Sequence, residues 1–210
     1  MSVSTSYGRG QRLVELASIA LFALLASWSL WRLALASGAA FPVVILAAAP
    51  CGWIAADLFS GLLHFAFDTW GSVKTPLIGP AFIRPFREHH ADPQEMTRHD
   101  FTETNGSSCL AGLPMLAAAG LMPLDSGFFI FIQSILVFTA LGGVATNQCH
   151  KWAHMEEAAT PHLVRLAQRW RLALPREHHQ RHHTPPFNTH LCISCGWLNP
   201  LFDRFLRTWR

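Results

Sequence analysis

The chain has 210 residues, enough for one domain or two; half are hydrophobic and only 14% are charged, well short of the roughly 25% of an ordinary soluble domain. That deficit points to an integral membrane protein. The net charge is +3, with basic residues scattered among aromatics; this gives no footing for nucleic-acid binding and suits contact with lipid headgroups.

Residues 1–12 form a polar tail with Arg9 and Arg12. The run from Leu13 to Ala36 (span 13–36) is nearly all apolar and long enough to cross a bilayer. Ala34-Leu35-Ala36 looks like a signal cleavage site, but the run exceeds the roughly 7–15 apolar residues of a signal. A second span follows at once, so the first helix is expected to be retained. After a turn at Ser37-Gly38, the second span runs over about 41–67 and carries Asp57, Gly61, His64 and Asp68 on one stripe. Ionisable groups inside a membrane helix cost several kcal/mol unless paired or hydrated, and therefore mark a functional site.

Residues 69–108 make a polar connection too long for a simple turn. Within it, Pro85 suits the start of a short helix bearing His89 and His90. Neighbouring helical side chains point about 100° apart, so these two imidazoles could serve two metals, or one metal and the surroundings of its ligands. His99 follows, and Asp100 and Glu103 are placed to orient ligand imidazoles. Spans 109–123 and 127–149 form an apolar hairpin whose first arm is short, hence tilted or partly re-entrant. The second arm ends with Asn147, His150 and His154 on one helical face.

Pro161 to Leu174 reads as an amphipathic helix, with Leu163, Leu166, Ala167, Trp170 and Leu174 on its apolar side. Leu201, Phe202, Phe205, Leu206 and Trp209 make a similar stripe. Both suit helices lying in the membrane interface. Between them stands His178-His179-Gln180-Arg181-His182-His183, with Pro175 at a favoured first helical position and Pro185-Pro186 ending the helix. The spacing pairs His178 with His182 and His179 with His183 as two adjacent rows aimed the same way.

With four spans, the tail, the 69–108 connection and everything after His150 share one side. All twelve histidines and every Lys or Arg except Arg32 belong there, and the positive-inside rule makes that side cytoplasmic. The expected fold is an all-α integral membrane protein of about four transmembrane helices. A cytoplasmic histidine-rich cap and interfacial amphipathic helices complete a single membrane domain over residues 13–210. Of the five cysteines, Cys51, Cys109 and Cys149 lie in apolar segments; Cys192 and Cys195 have redox or zinc spacing but no second pair.

Nine clustered histidines remain: His64, His89, His90, His150, His154, His178, His179, His182 and His183. A zinc ion takes three or four protein ligands, so this number suggests two metals. Imidazole ligands alone do not separate zinc-dependent hydrolysis from oxygen chemistry at a redox metal. A membrane zinc hydrolase and a non-enzymatic metal or haem carrier therefore stand beside an oxidoreductase.

Several motifs, in order over about residues 50–200, carry a resemblance. They are Asp57-Leu-Phe-Ser-Gly-Leu-Leu-His64-Phe-Ala-Phe-Asp68, Ile83-Arg-Pro-Phe-Arg-Glu-His89-His90, Thr97-Arg-His99-Asp-Phe-Thr-Glu-Thr-Asn105-Gly, Asn147-Gln-Cys-His150-Lys-Trp-Ala-His154, Leu174-Pro-Arg-Glu-His178-His179-Gln-Arg-His182-His183 and Gly196-Trp-Leu-Asn199. Together they resemble the plasmanylethanolamine desaturase (Kua/CarF) family. The resemblance implies a multi-pass desaturase whose histidines hold two irons. With molecular oxygen it would convert an alkyl ether phospholipid into the vinyl ether of a plasmalogen. The nine histidines would then be iron ligands or their neighbours, with Asp68 and His99 as ligands or groups supporting them. Electrons would come from a separate donor of cytochrome b5 or ferredoxin type. A plant branch of the family desaturates an acyl chain of a phospholipid, which leaves the lipid more open than the chemistry. Glu156-Glu157-Ala158-Ala159 departs from the family pattern, and His162 and His190 fit no motif and read as surface residues.

Overall fold

A computed structural model describes residues 8–76 and 78–208. Every described regular element is helical. Four helices are long: α1 (Arg9–Ser37), α2 (Phe41–Thr69), α4 (Phe101–Leu121) and α5 (Gly127–His154). Four are short: α3 (Arg84–Ala91), α6 (His162–Arg169), α7 (Arg176–His182) and α8 (Asn199–Thr208). Of the expected polar tail 1–12, only residues 8–12 are described. Residues 1–7 and Trp209 lie outside the described residues, and the chain is already helical from Arg9.

The long helices pack in the order α1, α4, α5, α2, and α1 and α2 barely touch. Gly38, at a left-handed φ of 52°, separates those two. Arg12 pairs with Asp100 at 2.7 Å, so the starts of α1 and α4 lie together. At the far end, Arg32 donates to the carbonyls of Gly120 and Met122. Arg32 therefore satisfies the last carbonyls of α4, which have no partners within their own helix. Asn147 Nδ2 reaches Thr104 O at 3.0 Å, joining the start of α4 to the end of α5. The chain thus runs back and forth along the layer, and the ends of α2 and α5 meet where α4 begins.

Small and polar residues lie between the helices beside an apolar cluster of Phe22, Leu33, Leu116 and Val137, and large apolar residues cover the outside. Buried Ser18, Ser134, Thr139 and Thr146 donate to carbonyls one turn back. Leu13, Leu21, Leu24, Trp28 and Trp31 of α1 and Val43, Leu46, Phe59 and Leu62 of α2 are exposed. This distribution suits hydrocarbon as solvent, where backbone groups must be satisfied internally and small residues sit between helices. The stretches Arg9–Thr69 and Gly127–His154 are long and apolar enough to cross a membrane. The chain is a membrane protein.

Three sequence expectations change. The first hairpin arm is a full 21-residue helix starting at Phe101, about 31 Å long at 1.5 Å per residue, because Asp100 accepts the Glu103 N–H as N-cap. Asp100 thus serves α4 and Arg12, and orients no imidazole. The helix expected over 161–174 stops at Arg169; Arg171 turns left-handed (φ 56°) and Leu174 folds back into the interior. The C-terminal stripe divides, with Phe202 and Leu206 buried and Leu201 and Phe205 exposed.

Close approach of α2 to α5 depends on Gly52, where an added Cβ would meet Phe138 Cβ and come within 2.8 Å of its backbone. We predict that Gly52→Ala destabilises the purified protein by about 1–3 kcal/mol through overpacking. Gly143→Ala, with nothing within 4 Å, is expected to be neutral. Thermal unfolding in detergent measures both.

Candidate metal centre

Three helix ends and one cap helix deliver the histidines. The last turns of α2 bring His64 and Asp68. Arg87 of α3 donates to Phe67 O, Trp70 O and Gly71 O, tying α3 to the C-terminus of α2, where carbonyls lack intrahelical partners. His89 and His90 are placed by that tie. The last turns of α5 carry His150 and His154. Pro175 is the N-cap of α7, one residue earlier than expected, and α7 carries His179 and His182 with His183 at its end.

Eight of the nine expected histidines, together with Asp68, converge into two adjoining groups. His89, His150, His154, His179 and His183 form the first; His64, Asp68, His90 and His182 form the second. Within each group the ligating atoms all lie within 4.8 Å of one another. In the first, His89 Nε2 is 3.0 Å from His183 Nε2, His154 Nε2 is 2.8 Å from His179 Nε2, and His150 Nε2 is 3.3 Å from His154 Nε2. Two imidazole nitrogens each about 2.1 Å from one metal and about 90° apart are about 3 Å from each other. In the second group, Asp68 Oδ2 lies 3.2 Å from His90 Nε2, 3.8 Å from His64 Nε2 and 4.0 Å from His182 Nε2. The sequence neighbours His89 and His90 divide between the groups, as do His182 and His183. The groups are therefore built on shared backbone.

Burial favours the neutral form of His89, His179, His182 and His183. It is the largest influence holding His89 and His179 well below the ordinary imidazole pKa, and it brings His182 to about 3 and His183 to about 4. Neutral imidazole offers a lone pair. His182 Nδ1 lies 3.0 Å from the carbonyl of Thr189; donation there leaves Nε2 as the lone-pair nitrogen, the arrangement that orients ligand imidazoles. Among the described residues, the buried Nε2 atoms of His182 and His64 have no hydrogen-bond partner. Leaving such groups unpaired is costly, and a bound cation would satisfy both. The residues present fit metal. Imidazole nitrogens with one carboxylate are donors that zinc and iron both accept.

His178 lies outside both groups. Of the expected rows, His179/His183 forms within the first group, with Nε2 atoms 3.1 Å apart, whereas His178/His182 does not, because His178 turns away and meets Asn199 Nδ2 at 2.9 Å. His99 also stays outside, with its ring 3.5 Å from Glu103. It lines a cleft of about 230 Å³ whose wall includes Phe82, Phe86, Glu88, His89 and His150. Lys151 donates to the His99 carbonyl and holds that corner. Cys192 and Cys195 are buried free thiols belonging to neither group; burial pushes Cys195 up to about 12 and Cys192 up as well. His190 is partly buried, with its N–H donated to Asp203.

The sequence marked Asp57 as functional but not its task. Its Oδ1 accepts the N–H groups of Ser194, Cys195 and Gly196, each at 3.0 Å, and Oδ2 accepts that of Leu198 at 3.2 Å. Ser60 Oγ accepts from Ile193 N at 2.9 Å. The 191–199 segment is thereby fastened to α2.

A lipid desaturase domain matches residues 53–210. The chain is 42% identical to plasmanylethanolamine desaturase of Myxococcus xanthus, over 94% of this chain and 69% of that protein. It is 43% identical to mouse plasmanylethanolamine desaturase 1, over 92% of this chain and 73% of that protein. Chloroplastic fatty acid desaturase 4 of Arabidopsis thaliana is 34% identical over 72% of this chain and 46% of that protein. No solved structure matches. The chain belongs to the lipid desaturase domain family. It is a membrane oxidoreductase that desaturates lipid.

Removing the Asp57 carboxylate leaves four buried N–H groups without their acceptor. We expect Asp57→Ala to cost about 3–5 kcal/mol, the scale of breaking a buried charged network. Asp57→Asn, which keeps an acceptor oxygen, is expected to cost less. Chemical unfolding in detergent gives the comparison; equal effects would show that the carboxylate is not the fastening.

Proposed function

We propose that the protein converts the O-alkyl chain of a plasmanylethanolamine into the vinyl ether of a plasmalogen, at two irons held by the two histidine groups. The observation that carries this reading is the pair of adjoining donor groups on shared backbone, in a chain similar over more than nine-tenths of its length to plasmanylethanolamine desaturases. His89, His150, His154, His179 and His183 would hold one ion, and His64, Asp68, His90 and His182 the other. When bound, the irons supply the activation of molecular oxygen that removal of hydrogen from adjacent alkyl carbons requires. Oxygen is reduced to water by one electron pair from those carbon–hydrogen bonds and a second pair from a separate carrier of cytochrome b5 or ferredoxin type.

The chain's own residues set where this happens. The reacting carbons adjoin the ether oxygen, so the glycerol and its headgroup must stay close to the metals. The cleft beside His89 and His150 suits that demand, with Phe82, Pro85 and Phe86 for the alkyl start and Arg84, Glu88 and Glu95 for polar groups. His64, His179 and His182 are almost wholly buried and keep bulk water from the centre.

In this reading α1, α2, α4 and α5 all cross the membrane, with the histidine end cytoplasmic as the distribution of Lys and Arg requires. Residues 13–210 work as one membrane domain. The membrane is the inner membrane of a bacterium or the endoplasmic reticulum of a eukaryote. Exposed Leu163 and Trp170 near α6 and Leu201 and Phe205 on α8 rest in the interface. The likeness to chloroplastic fatty acid desaturase 4 supports a second reading, the same centre acting on an acyl chain.

Lipid analysis of plasmalogen-free cells producing the protein decides between them. Acid-labile vinyl ethers are expected with the wild-type chain and lost with His150→Ala or His179→Ala, while both variants still insert into membranes. A new acyl double bond without vinyl ether favours the second reading. Full activity in either variant removes that histidine from the centre.

A further inference from the structure

The structure pins α7 from behind. His179, His182 and His183 leave this helix toward the two donor groups, while His178 leaves it toward the 191–199 segment. Asn199, buried at the start of α8, accepts the Cys192 N–H at 2.8 Å on Oδ1 and donates to Cys192 O at 2.9 Å from Nδ2. The same Nδ2 lies 2.9 Å from His178 Nε2, so the imidazole accepts and carries its proton on Nδ1. Gly196, at φ +75°, packs against the ring; an added Cβ there would stand 2.8 Å from His178 Nε2. The His190 ring closes another side, with centroids 4.7 Å apart. Asp57 of α2 holds the Gly196 and Leu198 N–H groups. A series of buried and half-buried polar contacts therefore runs from α2, which carries His64 and Asp68, through Asn199 and His178 to α7.

We propose that His178 is a positioning residue and not a ligand: through Asn199 it sets the rotation of α7 so that His179, His182 and His183 meet the ligands borne by α2, α3 and α5. This rests on the reading that both groups hold metal. The chemistry explains why a histidine stands there. A rigid acceptor at that depth pairs with the second hydrogen of the Asn199 amide, whose other polar atoms are occupied. Alanine would leave that N–H unpaired and α7 free to turn. Glutamine places an acceptor oxygen near the same point but makes a poor substitute for a metal-bound imidazole.

Cobalt(II) titration of the full-length protein in detergent, followed by its visible ligand-field bands, tests the assignment independently of turnover. His178→Gln is expected to bind two cobalt ions per chain with wild-type band energies. His178→Ala and Asn199→Ala are each expected to weaken binding about 10–100-fold, the effect of losing a group that orients ligands. The double variant should be no worse than either single one, because both cut the same link. The proposal is overturned if His178→Gln loses an ion or shifts the bands as His179→Gln does, or if Asn199→Ala binds as wild type. Should His178→Ala fail to fold, the glutamine variant alone decides. A wild-type chain that binds no cobalt would sink the metal reading itself, which is a different failure from loss in the glutamine variant alone.

Discussion

Imidazole nitrogens gathered with their lone pairs toward one another are the constraint on which the rest depends. His89, His150, His154, His179 and His183 place ring nitrogens within 2.8–3.3 Å of neighbours. A hydrogen can lie between one pair of such rings but cannot satisfy five meeting at one point. Protonation is no remedy for His89, His179 and His183, because burial and the neighbouring rings oppose their charged form. A metal cation resolves the conflict for all at once. In the second group the Asp68 carboxyl adds an oxygen donor to the three imidazoles.

Such a gathering is stable only if the backbones bearing the rings cannot retreat. Each ligand-bearing element is accordingly tied to another near its histidines. Arg87 clamps α3 onto the end of α2, Gln94 donates to the carbonyl of His154 at the end of α5, and Asp57 fastens the segment that holds α7. The apolar exterior contributes no selectivity of this kind. In hydrocarbon it costs nothing to expose, so close packing at small residues and buried polar contacts fix the helices instead.

Much of this was legible in the sequence because the signals were periodic or costly. The long apolar runs gave α1, α2 and α5 nearly to their ends. The ionisable His64 and Asp68 in α2 drew attention to that helix, and the 100° step between neighbours left open whether His89 and His90 serve one metal or two; they fall in different donor groups. Other features were hidden for definite reasons. The first turns of α4, Thr102 to Ser108, are polar and read as loop, although they are buried helix against α1 and α5. The i,i+4 rule paired His178 with His182 because spacing does not show that α7 turns one face to the donor groups and another to Asn199. The partners of Asp57 lie more than 130 residues away, beyond any local pattern. Leu174 matched the α6 stripe by period, but the left-handed Arg171 ends that helix first.

The central claim is that one chain holds two oxidising metal ions side by side. Metal analysis of the active, full-length protein purified in detergent measures this most directly. Two iron ions per chain are predicted. An active preparation that carries no metal, or zinc in place of iron, would contradict it.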